Sequence, residues 1–172
     1  MLPQSISITS ISTVSSLGSN RKEILEAYKN TNHYFSIIDN NWVATLAQKV
    51  KNDIETLKLE NSKYKYLDNS VLFSIISSRN AINEAKWSKN AHFGVNIGSS
   101  RGATSIFETE HAYFLKHNKA QTLASPTTTL GNISSWVAHD LQTSGPDISH
   151  SITCSTALHA VLNGVVWLQS GK

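Results

Sequence analysis

The chain has 172 residues, 40% of them hydrophobic and 16% charged, with a formal net charge of +3. That length suits one well-packed domain, residues 1–172, and the composition is that of a folded chain rather than a disordered one. No apolar stretch approaches the ~20 residues of a membrane span. A single cysteine closes no internal disulfide, and no Cys or His cluster has zinc-ligand spacing. Disulfide scaffolds, zinc modules and membrane spans are therefore set aside.

The opening "MLPQSISITSIST" lacks a basic segment followed by a continuous apolar core, so no secretory signal is expected and the location expected is cytoplasmic. Lys49, Lys51, Lys58, Lys63 and Lys65 alternate with Asp53, Glu55 and Glu60, the pattern of a solvated face. No basic patch with interleaved aromatics accompanies them, so nucleic acid is not an expected partner. An acidic protein partner is compatible with the mild positive balance.

In chain order, Ile6, Ile8 and Ile11 stand in a Ser/Thr/Ile run whose β-branching predicts a strand. The turn cluster 16–20 ends it, and Ser19 or Asn20 caps a helix over 21–28 with Ile24 and Leu25 as its apolar stripe. Between residues 30 and 65 the pattern weakens; Trp42, Leu46 and Val50 keep only partial helical spacing. Asp68 then has the position of an N-cap. Leu72, Ile75, Ile76, Arg79 and Ile82 follow at helical intervals, widened by Val71, which predicts a core helix ending near Ala85. Phe93, Val95 and Ile97 alternate as in a strand closed by a glycine turn, and a helix is expected over 104–117. The segment 126–146 reads as a loop, a short helix and a Gly145-Pro146 turn. At the end, Ile148, His150 and Ile152 share one strand face and Ser149, Ser151 and Thr153 the other. From Cys154 the period changes: Ala157, Leu158, Val161, Leu162, Val165, Val166 and Leu168 form a helical stripe, while Ser155, Thr156, Ala157, Ala160 and Gly164 are small enough to let the helix pack closely. Strands alternating with helices imply a layered α/β domain.

The sole thiol, Cys154, thus falls where strand becomes helix, in the expected first turn of the last helix. Unpaired backbone N–H groups and the positive end of the helix dipole favour a thiolate there, and a thiol so placed is a usable nucleophile. The same N–H groups can stabilise an oxyanion. A lone cysteine is also often only a small buried hydrophobe, and position alone leaves both readings open.

Five segments in register carry a resemblance. "SITCSTALHAVLNGVVWLQSGK" resembles the nucleophile strand and helix of the β-ketoacyl-acyl carrier protein synthases, members of the thiolase-like superfamily. "ITSISTVSSLGSNRKEILEAY" resembles that family's opening strand, turn and helix, and "YLDNSVLFSIISSRNAINEA" its helix begun by an aspartate. "FGVNIGSSRGAT" resembles its glycine-terminated strand, and "PTTTLGNISSWVAHDLQTSGP" the segment before the nucleophile strand.

The resemblance implies the N-terminal half of a thiolase-like layered fold, with a mixed β-sheet flanked by helices and a C-terminal half to match it. It implies that Cys154 is the catalytic nucleophile, its backbone N–H also an oxyanion donor, taking an acyl group from an acyl carrier protein as a thioester. Decarboxylative Claisen condensation with a malonyl-carrier protein follows in that family, in fatty-acid or polyene and polyketide synthesis. The phosphopantetheine arm belongs to the carrier protein, so no cofactor and no metal are expected on this chain. Expected partners are the acyl carrier protein and either a second copy in a homodimer or a C-terminal synthase half.

The family's two active-site histidines lie in that second half. His150 and His159 fit packing or hydrogen-bonding roles better than catalysis, so these 172 residues by themselves are expected not to condense, and to expose apolar surface. Ser10, Ser12 and Ser16 stand where the family often has Gly, Gly and Pro, and Asn69 where arginine is frequent. Three alternatives remain: a non-catalytic half-subunit or chain-length partner, a cysteine hydrolase needing a histidine brought to Cys154, and a binding module with a buried cysteine. "IGSSRG" lacks the lysine of a phosphate loop and is expected to be a structural turn.

Overall fold

A computed structural model describes residues 5–88 and 92–171. Helix α1 (Arg21–Lys29) starts where the Asn20 side chain accepts from Glu23 N–H at 3.0 Å, satisfying one of the donors a helix start leaves free. A hairpin follows, β1 (Ser36–Ile38) and β2 (Asn41–Val43), antiparallel with Ile38 opposite Asn41. Its loop residues Asp39 and Asn40 both have positive φ, 49° and 62°. This is the mirror-image turn that matches strand twist, and Asp and Asn tolerate it. Helix α2 (Gln48–Glu60) and a 3₁₀ turn (Ser62–Tyr66) lead into α3 (Asn69–Ala85). Next come β3 (Val95–Gly98), α4 (Thr104–His117), α5 (Ala124–Thr128), α6 (Asn132–Leu141) and β4 (Asp147–His150). A second 3₁₀ turn (Thr153–Ser155) precedes α7 (Thr156–Gln169).

The core forms where α2, α3, α6 and β3 meet. Val71, Leu72 and Ile75 of α3 are wholly buried, against Val50, Ile54 and Leu57 of α2, Ile133, Val137 and Leu141 of α6, and Val95 of β3. Each such aliphatic side chain contributes about 1.5–3 kcal/mol by leaving water. Strands β3 and β4 run parallel, with Val95 opposite Asp147 and Gly98 opposite His150. Alternation along β3 sends Val95 and Ile97 into the α6 side, while Asn96 donates to the Ala160 carbonyl of α7 at 2.9 Å. Helices thus cover both faces of the pair, as parallel strands require. Among the described residues no helix is long and apolar enough to cross a membrane.

Arg79 interrupts the apolar stripe of α3 because a partner waits for it on α6. Asp140, its side chain only 3% exposed, accepts from Arg79 through two guanidinium nitrogens at 2.8 and 2.7 Å and from the Tyr64 hydroxyl at 2.7 Å. A third guanidinium nitrogen of Arg79 reaches Glu60 at 2.7 Å. Bidentate geometry of this kind is the strong form of a charged hydrogen bond. Burial, and then the bond to Asp140, push the Tyr64 phenol up to about 12. The bond to Asp140 first, offset in part by burial, holds the Arg79 guanidinium above its ordinary value.

Most expected elements stand where the spacing puts them, among them α4 over 104–117 and α3 with Asp68 as its cap. Two expectations are corrected. The run with Ile6, Ile8 and Ile11 is not a strand: within the described residues β3 pairs only with β4. β-propensity is realised only when a ladder satisfies the backbone. Ile8 and Ile11 stay exposed and line a groove with Leu25 and Tyr28. Second, the segment 126–146 holds α6 and most of a further short helix, α5, not one helix alone. The segment 30–65, where the spacing assigns no element, holds the hairpin with Trp42 and α2 with Val50.

The phenol predicts an alkaline limit. Tyr64 keeps its proton in the fold to about 12 against an ordinary 10.0, so its share of stability is complete below pH 10 and is lost as pH rises through the folded value. Denaturant titrations between those limits should show unfolding free energy falling with pH, less steeply in Tyr64→Phe; equal slopes would remove Tyr64 as the source. At neutral pH, Asp140→Ala should cost about 3 kcal/mol, since it removes the partner of the Tyr64 hydroxyl and of two Arg79 nitrogens and leaves Arg79 only Glu60.

Candidate active site around Cys154

The seat of α7 is set by two glycines beneath it, Gly98 at the end of β3 and Gly94 just before it. A β-carbon on Gly98 would stand 2.6 Å from the Thr156 carbonyl oxygen and 3.0 Å from the Ala157 Cα. On Gly94 it would stand 2.7 Å from the Trp167 ring. Backbone therefore meets backbone where α7 begins, and Thr156 and Ala160 are the helix's buried residues. Of the small residues read from the sequence, Thr156 and Ala160 turn their side chains to this contact, whereas Ala157 is exposed and a β-carbon on Gly164 would meet nothing within 4 Å. The larger stripe points the other way: Leu158, Val161, Leu162, Val166 and Leu168 are all exposed, Leu158 by 74%.

The loop beside this seat is held from α3. Asp68, itself buried, accepts from Ser70 N–H at 2.9 Å and from the Ser70 hydroxyl at 2.8 Å. Its second oxygen accepts from Ile106 N–H at 3.2 Å, in the first turn of α4. Ala103, at the cap position of α4, supplies no side-chain bond, so one carboxylate caps two helices, and negative charge suits both N-termini. The intervening "IGSSRG" segment is a turn, as expected: Ser99 accepts from Gly102 N–H at 2.9 Å, and Gly102 has φ 66°. Its backbone then meets the end of β4. Ser99 N–H donates to the His150 carbonyl at 3.0 Å, and the Ser151 hydroxyl to the Ser100 carbonyl at 3.0 Å.

Cys154 stands on the 3₁₀ turn between β4 and α7, and is exposed. Two expectations are corrected. The cysteine is not in the first turn of α7 but one turn ahead of it, because Thr153 takes φ 50° and breaks the right-handed path. That conformation is an outlier for a β-branched residue. Nor is the thiol a buried hydrophobe, so the reading of Cys154 as core packing falls. Around it, the Thr156 hydroxyl accepts from Ile152 N–H at 2.8 Å and donates to the Thr153 carbonyl at 2.6 Å. The Ser155 hydroxyl donates to the Ile152 carbonyl at 3.1 Å.

The histidines turn elsewhere. His150 Nε2 pairs with the Asn163 amide at 3.3 Å on the α7 side of the sheet, and His159 Nδ1 with the Ser155 carbonyl at 3.0 Å. Both have the hydrogen-bonding role the sequence suggests, and among the described residues no histidine bond to the thiol supports the hydrolase alternative. Among the described residues no group of three His, Cys, Asp or Glu side chains could hold a metal ion.

Residues 7–172 match the family described as Beta-ketoacyl synthase, N-terminal domain. The chain is 26% identical to 3-oxoacyl-[acyl-carrier-protein] synthase 1 of Buchnera aphidicola subsp. Baizongia pistaciae (strain Bp), over 96% of its own length and 44% of the relative's. It is 24% identical, with the same coverage, to the synthase 1 of Buchnera aphidicola subsp. Schizaphis graminum (strain Sg). A solved β-ketoacyl synthase from Burkholderia phymatum STM815 superposes with a TM-score of 0.77 at 17% identity, over 96% of this chain and 43% of that one. The ishigamide ketosynthase/chain length factor superposes at 0.75 and 13% identity, over 95% and 44%. The chain thus spans less than half the length of the relatives it matches, and its fold is the thiolase-like α/β fold of these ketosynthases.

Gly98→Ala should cost about 1–3 kcal/mol by forcing the start of α7 off the strand. Gly131→Ala, where a β-carbon meets nothing within 4 Å, should stay within about 0.5 kcal/mol of the parent. Paired thermal melts check both, and equal losses would remove the close approach as the cause.

Proposed function

Because this chain belongs to the β-ketoacyl synthase family through its N-terminal domain, we propose that Cys154 is the residue that accepts an acyl group from an acyl carrier protein. The observation that carries this is the exposed thiol on the turn between β4 and α7, in the segment where the sequence resembles the family's nucleophile motif. The Cys154 thiolate attacks the carbonyl of the carrier's thioester. A new S–C bond forms, the carrier's S–C bond breaks, and the pantetheine thiolate leaves and takes a proton. Backbone N–H groups of the turn, that of Cys154 included, are the donors available to the transient oxyanion.

In the complete synthase the acylated cysteine would then meet a carbanion from a decarboxylated malonyl-carrier protein, a step assigned by resemblance to histidines of a second half. On this reading residues 1–172 by themselves accept the acyl group and do not carry out the condensation. The exposed apolar face of α7 supports pairing, either with such a half or with a second copy. A second reading, a non-catalytic half-subunit that only pairs with a complete synthase, rests on the same face and needs no acylation.

Intact-mass measurement separates the two. Incubation of the chain with an acyl-acyl carrier protein should add one acyl mass, reversed by hydroxylamine and absent in Cys154→Ala. A chain that stays unmodified while it associates with a synthase would overturn the acceptor role in favour of the half-subunit.

A further inference from the structure

We infer that Thr156 is a positioning residue for Cys154, its hydroxyl holding the turn in the one backbone arrangement that presents the thiol. The inference rests on the acyl-acceptor reading. Thr156 is 3% exposed, and its Oγ1 uses both of its capacities on the turn. It accepts from Ile152 N–H at 2.8 Å and donates to the Thr153 carbonyl at 2.6 Å. These two contacts bracket Thr153, the residue at φ 50°. A non-glycine residue persists in that region only when its surroundings over-determine it.

The clamp needs a fixed base, which β3 provides. The Thr156 carbonyl lies so close to Gly98 that a β-carbon there would stand 2.6 Å from it. Gly98 in turn is locked in register with His150. Thr156 is therefore seated on the sheet through its backbone and tied to the turn through its hydroxyl, with Cys154 carried between the tied points. A serine at this position keeps both hydrogen bonds. A valine keeps the shape and loses both, so the turn is free to leave its strained conformation.

Acyl transfer from acyl-acyl carrier protein to Thr156→Val should be slower on the order of tenfold or more, as for other small misplacements of a reacting atom. Thr156→Ser should restore the rate. Alkylation of Cys154 by iodoacetamide, which makes no demand on orientation, should change far less than transfer does. Equal loss of both rates, or wild-type transfer in Thr156→Val, would overturn the inference. Amide hydrogen exchange over residues 152–155 judges the clamp even if the wild-type chain accepts no acyl group, in which case only the acceptor reading fails. Faster exchange in Thr156→Val with wild-type exchange in Thr156→Ser sustains it, and unchanged exchange in both overturns it.

Discussion

The close approach of α7 to β3 at Gly98 is the constraint on which the candidate site depends. Two backbones come nearer there than any side chain on the strand would allow, and this fixes where the last helix begins. The 3₁₀ turn must then cover the distance from the end of β4 to that point in a few residues. Across it Thr153 takes positive φ, the Thr156 hydroxyl bonds on either side of that residue, and Cys154 is exposed. The setting of the thiol thus combines a long-range contact of backbones with hydrogen bonds from its own neighbours in sequence.

A second set of contacts keeps that geometry in place from the other side of the domain. Asp68 begins α3 and completes the start of α4, and the loop between β3 and α4 runs from there to the end of β4. The Arg79–Asp140 pair holds α3 to α6, and α6 packs against the same two strands. A buried carboxylate satisfied by three donors is rigid because every alternative leaves a charge unpaired in a medium of low dielectric. The site is therefore at the meeting point of two braced layers, and the apolar stripe of α7 is what those layers leave uncovered.

The elements with strong local signals were legible in the sequence: α3 by its stripe and Asp68, α4 by its limits, and the β4–α7 junction by its change of period. The Asp39-Asn40 turn carried a readable hairpin signal, two residues at ease with positive φ, although the apolar spacing around it was too weak to assign an element. The first run of isoleucines misled for the opposite reason. β-branching marks a chain fit for a ladder, and only a neighbouring strand can supply one.

The sequence by itself determined the family, the helices α1, α3, α4 and α7 with the strands β3 and β4, and the place of the one thiol at the β4–α7 junction, because these depend on residue type and local spacing. Only the tertiary structure decided that Cys154 sits ahead of α7, that the Thr156 hydroxyl closes on both sides of Thr153, and that Thr156 and Ala160 turn inward while Leu158, Val161, Leu162, Val166 and Leu168 stay exposed. Which surface of a helix is buried is settled by what it packs against, and here the backbone of Thr156 and Ala157 lies against Gly98 of β3.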